Sequence, residues 1–230
     1  MNKNILVWSL KRSGAHGFES WLFPHIGKGN YVFFNNVSPK GAFCHSRTEE
    51  DGDKTLIFGI EDYELNEEIA KKAANAKDTV HVLVLRDLFN LVASRLKKSR
   101  GPKKDMPIDS HTISLWKSYA REFIGETNIF PEKVCVSFNR WFEDLQYRKS
   151  LSSKLGYEFT DEGKDQLGAR PSSFDHLVFR KNASQMNVID RWRQFVSDTE
   201  YLRICRDEEA INMSKIIFAL APQSLLQNLK

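Results

Sequence analysis

The chain has 230 residues, of which 41% are hydrophobic, and a formal net charge of +4 at pH 7. This length and apolar content predict one domain with a sizeable core. The small positive excess favours an anionic small ligand or a local basic groove over bulk coating by nucleic acid. The three cysteines are widely spaced and form no Cys-x-x-Cys pair, so we expect neither a disulfide framework nor a zinc site.

No apolar stretch approaches the ~20 residues that a membrane-spanning helix needs. The apolar run near the N-terminus is too short for a secretory signal peptide, and it ends in the basic residues Lys11 and Arg12. We therefore expect a cytoplasmic protein without an integral membrane segment. The sequence leaves the oligomeric state open.

Apolar runs and segments of helical periodicity alternate along the chain. In chain order they predict strand Asn4–Ser9, helix Gly17–Ile26, strand Tyr31–Phe34, strand Thr55–Ile60, helix Glu64–Ala76, strand Thr79–Leu85, helix Asp87–Lys98, helix His111–Ile124, strand Lys133–Phe138, helix Arg140–Leu155, and helices Val188–Val196 and Glu208–Leu220. Strands that alternate with helices predict an α/β three-layer sandwich. We expect a single domain over residues 1–230, with a central, mostly parallel sheet of about five strands.

The segment between the first strand and the first helix has the composition of a phosphate-binding loop. Residues 9–17 read Ser-Leu-Lys-Arg-Ser-Gly-Ala-His-Gly. Gly14 lets the backbone approach an anion closely, and the amides at the start of a helix point toward it. Lys11 and Arg12 add positive charge where phosphate oxygens would lie. Ligands of parallel sheets bind at the carboxyl ends of the strands, which is where this loop falls.

The loop differs from that of nucleotide hydrolases, whose pattern is G-x-x-x-x-G-K-[ST]. When this pattern is placed on Gly14, Ser9 stands at the first Gly, Ala15 at the Lys, and His16 at the hydroxyl that holds Mg²⁺. The loop therefore suits a phosphate but lacks the groups that bridge the terminal phosphates of ATP and bind the metal. This disfavours an ATPase or a kinase on a P-loop nucleotide-hydrolase-like fold.

The same loop resembles the 5′-phosphosulfate loop of sulfotransferases, which reads roughly P-[KR]-S-G-[ST]-T. Arg12 matches the family's basic residue, and Ser13 and Gly14 match its Ser-Gly. Lys11 replaces the Pro, while Ala15 and His16 replace the two hydroxyl residues. The resemblance implies that residues 11–17 bind the donor. The hydroxyl that contacts the phosphate is then missing unless His16 donates in its place.

A second segment is similar to the part of that family that binds the donor's 3′-phosphate. There an Arg closes a strand and a Ser follows eight residues later on the helix, and Arg86 and Ser94 keep this offset. A weaker match falls at 179–182, where Arg180 and Lys181 stand in a basic segment and Asn182 replaces the family's Gly. The resemblance implies that Arg86, Ser94, Arg180 and Lys181 hold the 3′-phosphate.

The resemblance implies a sulfotransferase that uses 3′-phosphoadenosine 5′-phosphosulfate and needs no metal. Charge develops on the bridging oxygen as the sulfuryl group leaves, so a basic residue aimed there stabilises the transition state. Arg12 is the first candidate for this role and Lys11 the second. An acceptor hydroxyl needs a general base, for which Glu61, just beyond the third strand, comes first and His45 second.

The sequence does not identify the acceptor. Loops 35–54, 97–110 and 156–182 carry aromatic, basic and acidic residues that suit a carbohydrate or a small-molecule alcohol equally well. Two other functions stay open: a non-catalytic nucleotide- or glycan-binding module of the same fold, and an atypical P-loop kinase. Individually, the candidate residues also have ordinary interpretations, for example Asp87 as a helix cap after Arg86.

Overall fold

The computed structural model describes residues 3–76, 78–101, 106, 108–166, 174 and 182–219. Within these ranges five parallel strands form one sheet in the order β2-β3-β1-β4-β5. The strands are β1 Asn4–Ser9, β2 Tyr31–Phe34, β3 Thr55–Glu61, β4 Thr79–Leu85 and β5 Lys133–Ser137. In the sheet, β2 and β3 lie on one side of β1, and β4 and β5 lie on the other side. The loop after β1 therefore lies where the strand order reverses, a position at which ligands of such sheets bind.

Helices cover both faces of the sheet. Their bounds are α1 Ala15–Ile26, α2 Pro39–Phe43, α3 Glu67–Asn75, α4 Leu88–Ser99, α5 Ser110–Ile124, α6 Phe138–Glu143, α7 Leu145–Leu155, α8 Thr199–Ile204 and α9 Glu208–Phe218. Short 3₁₀ helices span Ala183–Gln185 and Arg191–Phe195. In the described part of the chain, no helix combines the length and the apolar character that crossing a membrane requires.

Successive side chains of each strand point to opposite faces of the sheet, and each face forms its own hydrophobic core. Leu6 and Trp8 of β1 face a core completed mainly by α4, α5 and α9, whereas Ile5 and Val7 face a second core completed by α1, α6 and α7. A sheet that is buried on both faces requires apolar residues at successive positions, which is the pattern of these strands. The predicted α/β three-layer sandwich is confirmed.

Several predicted elements differ in detail. The single helix expected over Arg140–Leu155 is broken at Asp144, whose backbone is extended and whose carboxylate accepts the amide of Tyr147 at 3.0 Å to begin α7. The helix expected over Val188–Val196 is the shorter 3₁₀ turn Arg191–Phe195. Two short helices were not predicted, α2 inside the loop 35–54 and α8 after Asp198.

Candidate functional site

The loop between β1 and α1 makes a sharp turn with two residues in the left-handed region. Arg12 has φ 78° and Gly14 has φ 87°, and the turn is closed by the amide of Ser13, which donates to the carbonyl of Leu10 at 2.9 Å. A Cβ on Gly14 would lie 2.1 Å from Cε2 of Phe138. Gly14 is therefore required both by its backbone conformation and by the ring packed against it.

Two arginines and one aspartate hold the loop from the protein side. Nε of Arg95 donates to the carbonyl of Lys11 at 3.1 Å, and Nη1 of Arg86 donates to the carbonyl of Arg12 at 3.1 Å. Oδ1 of Asp62 accepts the amide of Lys11 at 3.0 Å and also pairs with Arg95. Because these carbonyls are bonded toward the protein, they do not turn toward an anion at the helix start.

The amides at the start of α1 suit an anionic ligand. Those of Gly14, Ala15 and His16 donate to no other described residue, as expected for a first helical turn. Next to them, the hydroxyl of Ser13 is buried without a hydrogen-bond partner in the described chain. An unbonded buried polar group costs about 1–3 kcal/mol, so a ligand oxygen that accepted a hydrogen bond from Ser13 would remove this cost.

Unpartnered buried groups also mark the neighbouring strand ends. Within the described residues they are Oγ of Ser9 at the end of β1, Nε of Arg86 after β4, and Oγ of Ser137 at the end of β5. Residues at the carboxyl ends of adjacent parallel strands meet at one edge, as the pairing of Leu85 with Ser137 illustrates. Buried polar groups in native structures normally have partners, so these groups make this edge of the sheet a candidate ligand site.

Arg86 is fully buried, and burial lowers the pKa of its guanidinium to about 10. Besides the carbonyl of Arg12, it donates to the carbonyl of Val188. The adjacent Asp87 accepts the amide of Asn90 at 2.8 Å and the side-chain amide of Asn139 at 2.8 Å. Asp87 is thus the N-cap of α4, as its ordinary interpretation predicts, while Arg86 reaches the loop between β1 and α1.

Ser94 is buried on α4, and its hydroxyl accepts from Nη1 of Arg191 at 2.9 Å. No described contact joins Ser94 directly to Arg86; instead both meet the segment 187–191, Arg86 at Val188 and Ser94 at Arg191. Sequence reasoning missed Arg191, and no local signal separates it from the neighbouring Asp190, Arg193 and Gln194. Arg180 and Lys181 lie outside the described residues.

Glu61 ends β3 directly opposite Ser9, the last residue of β1. Burial raises the pKa of Glu61, and the nearby carboxylates of Glu19 and Asp62 raise it further, whereas His16 and Lys11 lower it. Nδ1 of His16 lies 2.9 Å from Oε2 of Glu19. Glu61 at the end of β3 and His16 in the first turn of α1 therefore both have raised pKa values, and each acts on the pKa of the other.

His45 occupies a different place. Its Nε2 lies 3.1 Å from Oδ2 of Asp51, and its ring packs against Phe34 and Phe58. The neighbouring Arg47 donates to Oδ1 of Asn4 at 3.2 Å, at the start of β1. Phe34 is the last residue of β2 and Phe58 lies in the middle of β3. No described contact joins His45 to residues 9–17.

The sheet order, the loop after β1 and the helices on both faces define a doubly wound, parallel α/β sandwich. Among solved structures, the chain is similar to the sulfotransferase domain from the Synechococcus PCC 7002 olefin synthase, with a TM-score of 0.60 and 12% identity. The match covers 96% of this chain and 95% of that domain. No family model and no curated protein sequence matches the chain. At this identity the likeness concerns the fold.

Proposed function

We propose that the chain is a sulfotransferase that moves a sulfuryl group from 3′-phosphoadenosine 5′-phosphosulfate to the hydroxyl of a carbohydrate or small-molecule acceptor. The observation that carries the proposal is the loop 10–14. Its carbonyls at Lys11 and Arg12 are bonded inward by Arg95 and Arg86, so its amides serve an anion. The loop stands on a fold shared with a sulfotransferase domain.

The residues present fit both ends of such a donor. The 5′-phosphosulfate meets the amides at residues 14–16, the unpartnered hydroxyl of Ser13, and the cations Lys11 and Arg12. Arg86 and Ser94 bind the 3′-phosphate, and Arg191, which donates to Ser94, adds a second guanidinium to this group. Arg180 and Lys181 are proposed to join this second group.

The transfer can then be written with its charges balanced. The acceptor oxygen forms a bond to sulfur while the bond from sulfur to the bridging oxygen of the donor breaks. Glu61 takes the proton of the acceptor hydroxyl, and Arg12 stabilises the negative charge that the leaving phosphate gains. A base works best when its pKa lies closer to the operating pH, and burial of Glu61 moves its pKa in that direction.

A non-catalytic module of the same fold is the second candidate. It is favoured by the loss of both loop hydroxyls at Ala15 and His16, and by the protein partner that Ser94 already has in Arg191. Such a module would bind the donor or its product without transfer. The kinase alternative is weaker, because no lysine or hydroxyl follows Gly14 to bind the terminal phosphates and Mg²⁺.

The first experiment compares stabilisation by adenosine 3′,5′-bisphosphate with stabilisation by ATP and Mg²⁺ in a thermal shift assay. We expect the bisphosphate to raise the melting temperature more. Larger stabilisation by ATP and Mg²⁺ would contradict the proposal. Transfer is then measured with labelled donor across carbohydrate and alcohol acceptors, and bisphosphate binding without turnover on any of them would favour the module.

Variants separate the two arginine roles. Arg12→Ala should abolish transfer with a modest loss of bisphosphate affinity, whereas Arg86→Ala should mainly weaken binding. Arg193→Ala is the control, since the side chain of Arg193 is 64% exposed and pairs with Asp190 on the surface. Wild-type turnover in Arg12→Ala would refute the role of Arg12.

A further inference from the structure

His16 and Glu19 form a pair that the loop pattern does not explain. His16 lies in the first turn of α1, beside amides that donate to no other described residue, and its side chain is 63% exposed. Glu19, one helical turn later, is only 3% exposed and has its Oε2 at 2.9 Å from Nδ1 of His16. Because Nδ1 faces the carboxylate, Nε2 is the ring nitrogen that remains for a ligand.

The sheet is shaped to accept the Glu19 carboxylate. Gly59 lies in the middle of β3, and a Cβ at that position would stand 2.8 Å from Oε1 of Glu19. A glycine in a strand interior weakens the strand and often marks a close approach by another group. Here the group that approaches is a buried carboxylate, whose burial is costly unless it is paired. The pair is therefore a built feature of the interface between α1 and β3.

Three charged groups face His16, from its own helix, from β3 and from the loop. Glu19 raises the pKa of His16 through its hydrogen bond and its charge, Glu61 raises it further, and burial and Arg12 lower it. The net shift is upward from 6.5. At neutral pH a larger fraction of His16 carries a proton than for an ordinary histidine.

We infer that the His16–Glu19 pair does the work of the loop hydroxyl that the chain lacks. Glu19 acts as a positioning residue that orients the imidazole, and the protonated ring donates from Nε2 to the 5′-terminal oxygens of the donor. This inference rests on the proposed function, because it names a ligand of the same site. It also makes donor binding depend on pH, since a neutral ring with Nδ1–H bonded to Glu19 has no second donor.

The sign of the pH dependence follows. The stronger binding is present below the pKa of His16 and is lost as pH rises through it. A charge-assisted hydrogen bond to an anion corresponds to about tenfold or more in affinity. Replacement of Glu19 removes the group that raises this pKa most, so the loss of affinity should move to lower pH in Glu19→Gln.

The test measures the affinity of adenosine 3′,5′-bisphosphate by titration calorimetry between about pH 5.5 and 8.5. The phosphates of the ligand themselves titrate at about pH 6. The pH profile of His16→Gln therefore serves as the baseline for the ionisation of the ligand. Relative to that baseline, wild-type affinity should fall about tenfold with rising pH. His16→Thr restores a hydroxyl and should bind independently of pH beyond the baseline, at an affinity above that of His16→Gln.

The outcomes separate the two proposals. If the wild type binds no bisphosphate at any pH, the proposed function fails. If it binds but its pH profile matches that of His16→Gln, the inference about His16 is overturned while the function stands. Glu19 is buried, so Glu19→Gln is first checked by urea denaturation. Should it not fold, the exposed His16 variants decide the question alone, through the His16→Gln baseline and the His16→Thr rescue.

Discussion

Gly14→Ala is the substitution that best tests whether the phosphate loop has the described geometry. The new Cβ would lie 2.1 Å from Cε2 and 2.5 Å from Cδ2 and Cζ of Phe138. The backbone at this position has φ 87°, a conformation that costs an L-residue about 1–2 kcal/mol. Overlap with a packed ring adds about 1–3 kcal/mol. We therefore expect the free energy of unfolding to fall by about 2–5 kcal/mol.

Gly125→Ala is the matched control. Gly125 has φ 83°, close to that of Gly14, but no atom lies within 4 Å of where its Cβ would stand. Gly125→Ala should therefore lower the free energy of unfolding only by the cost of the left-handed backbone, about 1–2 kcal/mol. Both substitutions also restrict the unfolded chain to the same extent, so the difference between them measures the contact with Phe138.

The free energies are measured by urea denaturation, and bisphosphate affinity by calorimetry on the folded variants. Gly14→Ala should lose more stability than Gly125→Ala and should also weaken binding, because the ring and the loop amides must move apart. A second change, Phe138→Leu, should reduce the excess cost in the double variant. If Gly14→Ala is no more destabilising than Gly125→Ala, the packing of Phe138 against the loop is wrong.

Three further predictions concern carboxylates at and away from the site. Asp62→Asn leaves the buried Arg95 without its counter-ion. It should lower the free energy of unfolding by about 1–3 kcal/mol and reduce bisphosphate affinity about tenfold. Unchanged affinity would mean that the contacts of Asp62 and Arg95 with Lys11 do not shape the loop. Glu61→Gln should reduce turnover by about 10²–10⁴-fold. In the wild type the rate should rise with pH as Glu61, whose pKa is raised, loses its proton, and the variant should lack this rise. An unchanged pH–rate profile would place the base elsewhere. Glu122→Gln breaks a buried pair with Lys133 at 2.7 Å, far from the loop. It should lower the free energy of unfolding by about 2–4 kcal/mol and leave bisphosphate affinity unchanged, whereas weakened binding would show that the two ends of the sheet are coupled.

Local signals explain which elements could be predicted. The five strands are apolar runs bounded by polar turns, and their predicted positions agree with the structure to within a residue. The start of α4 was predicted at its cap, Asp87. The start of α3 was predicted three residues early, at Glu64, whereas the structure has Asn66 as its cap. The break at Asp144 was missed because the apolar spacing continues through it, although Asp144 is itself a capping residue whose carboxylate accepts the amide of Tyr147.

The candidate site was predicted in part for the same reason. Residues 9–17 are contiguous, so a sequence pattern contains the whole loop. The pairing of Ser94 with Arg191 joins residues 97 positions apart, and no local pattern reports such a contact. His45 has suitable chemistry for a base, but its position depends on how the loop 35–54 returns to β3, which leaves it bonded to Asp51.

The sequence by itself determined the alternation of strands and helices, the single sheet, and the basic, glycine-containing turn after β1, because these depend on periodicity and on neighbouring residues. Only the tertiary structure decided which groups serve that loop. Asp62 and Arg95 hold Lys11 across 51 and 84 positions, and Glu19 meets His16 where Gly59 of β3 leaves room for a carboxylate. Asp62 meets the loop because parallel strands bring their carboxyl ends to one edge, whatever their distance along the chain. Arg95 and Glu19 reach it because α4 and α1 pack on the faces of the same sheet.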